Sequence, residues 1–191
     1  MGAIEPALAL TRHRVTADEY QLMGRAGVLG PECRVELIEG EVIDMAPIGT
    51  RHWAVVSRLQ RLLERAVGDL AVIATQSSLR LGERSEPQPD LGLFAPRDDF
   101  YAGALPSAAD TLLLIEVSDT TARYDREVKL PLYARHGVRE LWIVDLDAGL
   151  LRIYQEPRGE SYLRGTQAVD PGPTAITALP GVLVDLTGVL R

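Results

Sequence analysis

Apolar residues recur along this chain in two rhythms, and each rhythm marks an element. Residues 34–38 and 41–45 alternate in steps of two on either side of Glu39 and Gly40, which predicts a β-hairpin closed by a tight turn and ended by Pro47 and Gly49. Upstream, Thr16 and Glu19 stand at capping-box spacing and Gly27 supplies a stop, so residues 16–26 read as a short helix behind an irregular tail, residues 1–15. After the hairpin, Thr50 is placed to cap a helix whose stripe Val55, Leu59, Leu62 and Ala66 repeats in fours and threes. Arg58, Arg61 and Arg65 lie on another face of that helix, and Gly68 ends it.

Beyond Gly68 the apolar segments shorten. Residues 70–75, 77–81 and 91–94, punctuated by Gly and Pro, predict three strands or one bent strand and its partner. Residues 95–110 read as a surface loop, and residues 111–117 form a continuous apolar run with a carboxylate near its end, as in a central strand covered on both faces. Residues 125–136 predict a helix stopped by Gly137, and Leu141 to Val144 a further buried strand; together they make a βαβ unit with a right-handed crossover. Pro131 deletes one backbone hydrogen bond of that helix and predicts a kink near Glu127. Residues 147–149 turn the chain into an antiparallel pair, 150–154 with 162–169, and Pro171, Gly172 and Pro173 open a C-terminal segment. The series is α/β, in one domain over residues 16–191.

A chain of 191 residues, 46% hydrophobic and 25% charged, buries a sufficient core without disulfides or structural metal. Cys33 is alone, which excludes an internal disulfide and a zinc site of paired cysteines and points to a reducing compartment. No apolar run is long enough to span a membrane, and Glu5 and Pro6 stand where a signal peptide needs a basic start and an apolar stretch. Pro6 also displaces the Ser or Thr of a myristoylation motif, so the expectation is a cytoplasmic protein with no membrane partner. The net charge of −7 argues against coating nucleic acid by bulk electrostatics and leaves room only for a local basic face. Among the 20 basic residues, Lys129 is the one that is not arginine.

Familiar catalytic motifs are missing: there is no phosphate-binding glycine loop followed by lysine, no GxSxG, and no histidine pair at ligand spacing among His13, His52 and His136. What remains is Asp90 at a strand start, Glu116 at the end of a buried strand, and Lys129 on the next helix. Two carboxylates on adjacent strand ends suit one hard divalent cation, and an amine beside them can orient or deprotonate the attacking water. Each residue also has a plainer reading. Asp90 follows a proline, as turn residues do; Glu116 can be neutralised by Arg123 or Arg126; Lys129 can pair with Asp125 across one turn of a solvated helix face. Arginine would serve that last purpose equally well, so a lone lysine points to chemistry that a guanidinium cannot do.

Taken together, Pro89-Asp90, the run Leu114 to Ser118, and the run from Asp125 through Lys129 and Tyr133 to Asp145 resemble the Uma family, a restriction-endonuclease-like branch of the PD-(D/E)XK nuclease superfamily. Glu36 to Val42 and Pro47 to His52 match it as well, so the similarity covers about residues 16–190. The resemblance implies an αβββαβ core, preceded here by a helix and hairpin and followed by an antiparallel extension. It also implies that Asp90 and Glu116, with the backbone carbonyl of Val117, hold Mg2+ or Mn2+, and that Lys129 faces the attacking water. Ser118 occupies the position at which the plain E-x-K motif carries its lysine; in this branch the following helix supplies the amine instead. Weaker expectations place Glu41 or Glu36, His52, Gln76 and Tyr133 around the same cleft, and Arg58, Arg61 and Arg80 on phosphates.

Two functions of different class follow. One is a metal-dependent endonuclease that hydrolyses phosphodiester bonds of nucleic acid, with DNA as the expected substrate and a homodimer as the form suited to symmetric cleavage of a duplex. The other is a non-catalytic binding or assembly module that retains the nuclease fold.

Overall fold

The computed structural model describes residues 11–30 and 32–190. Residues 1–10 of the expected tail, including Glu5 and Pro6, lie outside them. The first helix, α1 (Ala17–Arg25), begins at the capping box: the Thr16 hydroxyl accepts from the Glu19 N–H while the Glu19 carboxylate accepts from the Thr16 N–H. Strands β1 (Val35–Ile38) and β2 (Glu41–Asp44) form the hairpin, with Ile38 opposite Glu41. Its two turn residues, Glu39 and Gly40, both have positive φ, which matches the right-handed twist of the strands.

Helix α2 (Thr50–Val67) follows, one residue earlier than expected: Gly49, not Thr50, is its N-cap. Its buried stripe is Val55, Val56, Leu59, Leu63 and Val67, while Leu62 and Ala66 pack along the flank. A six-stranded sheet then assembles in the order β3 (Val72–Thr75), β4 (Leu91–Phe94), β5 (Thr111–Ser118), β6 (Glu140–Asp145), β7 (Leu150–Arg158) and β8 (Ser161–Ala168). Only β5 and β6 are parallel, joined by the expected βαβ crossover. A small antiparallel pair, β9 (Pro173–Ala175) with β10 (Leu183–Asp185), closes the chain.

Residues 77–81 are not a strand. Leu79 and Leu81 are buried as their alternation implies, but their N–H groups donate to Pro87 and Ser85, so loop backbone, not a ladder, satisfies them.

The sheet is covered on both faces, which explains why β5 reads as an unbroken apolar run. Leu113, Ile115 and Val117 point toward α2 and the C-terminal segment; Leu114 and Glu116 point the other way. On that second face lies the crossover, which changes pitch along its length: α3 (Ala122–Tyr124), a π-helical turn (Asp125–Lys129) and α4 (Leu130–Arg135). The expected Pro131 kink takes this form. Proline cannot donate to the Glu127 carbonyl, and the Leu130 N–H donates five residues back to Asp125. The wide turn leaves Asp125 and Lys129 both buried against the sheet.

A buried lysine among carboxylates at the end of the sheet

The register of β4 and β5 pairs Leu91 with Ile115, so one step further out Asp90 comes opposite Glu116. Asp90 is fixed from three sides: its Oδ2 accepts from the Val117 N–H at 2.8 Å, its Oδ1 meets His52 Nε2 at 3.0 Å, and its carbonyl accepts from the Gln76 N–H at 3.0 Å. Glu116 is only 3% exposed. Its Oε1 accepts from Lys129 Nζ at 3.1 Å and from the Tyr133 hydroxyl at 2.5 Å. The Arg123 and Arg126 alternatives fail, since those side chains pair with Glu127 and Asp145.

Lys129 is not on a solvated face. It is 4% exposed and held between Glu116 and Glu36, whose Oε2 lies 3.2 Å from Nζ. Glu36 comes from the hairpin and also accepts from the Tyr124 hydroxyl at 3.1 Å and the Gln88 N–H at 3.1 Å. Asp125, the other suggested partner, accepts from Ser118 at 2.7 Å and Thr121 at 2.8 Å.

These groups line a cleft of about 360 Å³ at the sheet's end, bounded by the 43–49 segment, the N-terminus of α2 and the crossover. Six carboxylates face it, those of Glu36, Asp44, Asp90, Glu116, Asp119 and Asp125, against the two permanent cations Arg34 and Lys129. The imbalance governs titration. Burial, reinforced by Asp125 and Asp90 and opposed by Lys129, pushes the Glu116 carboxyl up to about 8. Burial by itself would lower the Lys129 amine, but Glu116, Glu36, Asp125 and Asp90 outweigh it and hold the amine above its ordinary value. Of the two roles expected for the amine, orienting or deprotonating water, an amine held protonated suits the first. The Asp90 hydrogen bond raises His52 against the opposing effect of burial, and burial raises Tyr133 well above the phenol range.

The remaining sequence-derived candidates divide cleanly. Val117 lines the cleft and donates to Asp90 through its N–H; Ser118 donates to Asp125; Tyr133 donates to Glu116; Gln76 donates to the Asp90 carbonyl by its backbone N–H. Glu41 is turned away and pairs with Arg14 at 2.5 Å. Arg58 donates to the Gly188 carbonyl at 2.9 Å and Arg80 to Asp18 at 2.7 Å, so both tie elements together outside the cleft. Arg61 is exposed on α2, about 14 Å along the axis from His52 at the rise of an α-helix. Of the two hairpin glutamates Glu36 is the one that reaches the site, and Tyr124 and Asp125 are members that sequence reasoning did not assign.

The oxygen-rich donor set fits a hard divalent cation. Glu116 Oε2 has no hydrogen bond among the described residues, and buried His52 Nδ1 has no partner there either. The set is not preassembled: among the described residues no three His, Cys, Asp or Glu side chains stand close enough to hold an ion as they are.

Comparison with known proteins agrees with this picture. A family model described as "Uma2: Putative restriction endonuclease" matches residues 17–187. The fold is similar to that of a crystal structure of "a putative nuclease belonging to DUF820" from Anabaena variabilis ATCC 29413, with a TM-score of 0.73. That likeness spans 92% of this chain and 97% of the other at 18% identity, and so is one of fold. No curated protein matches. No helix among the described residues is long and apolar enough to cross a membrane.

Proposed function

The chain belongs to the Uma2 family, and on that premise we propose that its cleft hydrolyses phosphodiester bonds of nucleic acid, with DNA as substrate and Mg2+ or Mn2+ as cofactor. The observation that carries the reading is the pairing of Asp90 with Glu116 across neighbouring strand ends, with the chain's only lysine buried beside them. Asp90, Glu116 and the Val117 carbonyl would hold the cation, which supplies charge for the phosphodiester oxygens and acidity to water.

The protein's own groups do the rest. Tyr133 and Lys129 fix one oxygen of Glu116 and leave the other available, while the Val117 N–H fixes Asp90. Lys129, kept protonated by its carboxylates, orients the attacking water and offsets charge that develops on the phosphate. The Asp90 hydrogen bond raises His52, so its imidazole at the cleft wall holds a proton more readily than an unperturbed histidine. The N-terminus of α2 opens on the cleft at Gly49, where unsatisfied N–H groups favour an anion.

The second reading, a non-catalytic module, draws on one observation: no three ligand groups are preassembled among the described residues. Cleavage of DNA by the purified protein with Mn2+ separates the two. The nuclease reading expects cleavage that stops with chelator and with Glu116→Ala; cleavage by neither protein nor variant, with any added divalent ion, supports the module.

A further inference from the structure

From the shape of the cleft we infer that the segment presented for cleavage is unpaired, with one base lodged against the apolar 43–48 wall and a neighbouring base stacked on Trp53. The inference rests on the phosphodiesterase reading and adds the form of substrate to it.

Three features carry it. First, the carboxylate that the chemistry needs is at the floor: Glu116 is 3% exposed, so the scissile phosphate has to enter the cleft. At about 360 Å³ the cleft is the size of a site for one small ligand. A duplex is stiff and keeps its bases paired and stacked; extracting one nucleotide costs a few kcal/mol, a cost that a single strand does not meet.

Second, the cleft has two unlike walls. The acidic side holds Asp90 and Glu116, whereas Ile43, Met45, Pro47 and Ile48 give the other side an apolar surface. Ile48 is still 39% exposed, an apolar surface open to a flat ring.

Third, Trp53 follows His52 on the first turn of α2 and is 65% exposed, although Trp is a residue that chains bury when they can. Its place on the helix is about 100° round from His52. Gln60, two turns on along the same face, accepts from the Thr75 hydroxyl at 3.1 Å at the end of β3. That sets the indole beside the mouth of the cleft on the β3 side, as a platform for the next base along the strand. Stacking on an aromatic ring tolerates any base and is the sequence-tolerant part of single-strand binding.

The chain's two tryptophans make the test direct, because Trp142 is fully buried and reports the fold while Trp53 reports the ligand. With Ca2+ as the divalent ion, emission is followed for the wild type, and the anisotropy of a dye-labelled mixed-sequence DNA single strand, or the same strand annealed to its complement, is read as the wild type, Trp53→Phe and Trp53→Ala are titrated in. The single strand should quench Trp53 and bind more tightly than the duplex; Trp53→Ala should weaken single-strand binding about tenfold, with Trp53→Phe close to wild type. Equal binding of the two forms, no binding of either, or an unchanged Trp53→Ala overturns the inference. Cleavage of the same two substrates with Mn2+ separates the failures. Efficient duplex cleavage indifferent to Trp53→Ala removes the inference and keeps the nuclease; single-strand quenching without cleavage of any substrate keeps the binding mode and removes the nuclease.

Discussion

Replacing Lys129 by Met removes a charge while nearly preserving volume, and the consequence can be worked from the contacts it makes. The amine lies 3.1 Å from Glu116 and 3.2 Å from Glu36, and all three side chains are almost wholly buried. Removing one partner of such a group leaves uncompensated carboxylates in a medium that solvates them poorly, a loss of about 3–5 kcal/mol. Met fills the space of the lysine stem, so little of this loss comes from a cavity.

The cost should depend on pH with a definite sign. Glu116 already has its pKa raised to about 8, and without Lys129 it rises further. A carboxyl raised in the folded state binds its proton there more readily than when unfolded, so stability falls as pH rises through the interval between the two values. The variant's deficit relative to wild type is therefore nearly constant from about pH 5 to about pH 7, where Glu116 is protonated in both folded proteins, and grows as pH rises past about 8, where the wild type ionises it and the variant does not, by up to about 1.4 kcal/mol per pH unit. Urea unfolding of both proteins in EDTA at about pH 6 and about pH 9 measures it. A deficit under about 1 kcal/mol at about pH 9, or one that does not grow between the two pH values, would show that the buried triad is not the charge arrangement described.

Other consequences follow from the same geometry. Glu36→Gln keeps hydrogen-bonding capacity toward Tyr124 but loses the charge that holds Lys129, and should lower cleavage by about 10- to 100-fold with KM little changed; an equal drop in stability and activity would reduce Glu36 to a structural part. Asp90→Asn removes the main cause of the raised His52 pKa, so an NMR titration of His52 should move down toward the ordinary histidine value near 6.5, whereas an unchanged midpoint would place the cause elsewhere.

The architecture was legible where local pattern and tertiary environment agree. The β1–β2 turn is carried by Glu39-Gly40, α1 by its capping box, and β5 by an apolar run that only a doubly covered strand needs. Residues 77–81 misled because alternation reports burial and not the identity of the hydrogen-bond partner. The π turn was foreshadowed by Pro131 as a kink, but its pitch depends on which carbonyl takes the Leu130 N–H, and no local pattern encodes that.

In the site, Asp90, Glu116 and Lys129 were readable because each strains a local rule: a carboxylate ending an apolar strand, and one lysine in a chain of arginines. Glu36 was harder to rank above Glu41. An alternating hairpin should have one wet face, yet all four residues of β1 are buried because the crossover packs over the second face. The only hint was that a buried lysine needs more than one counter-charge. Of the three arginines expected on phosphates, Arg58 and Arg80 reach a carbonyl and a carboxylate far along the sequence, partners that no local pattern announces.

The most direct test of the central claim is calorimetric titration of Mn2+ into the wild type and Asp90→Ala, since it assumes nothing about substrate. The wild type should show one binding event, tighter at about pH 8 than at about pH 6 because Glu116 must release its proton to bind, and the variant none. Equal binding by both proteins, or no binding by the wild type even with millimolar metal, would contradict a cation site built on Asp90 and Glu116.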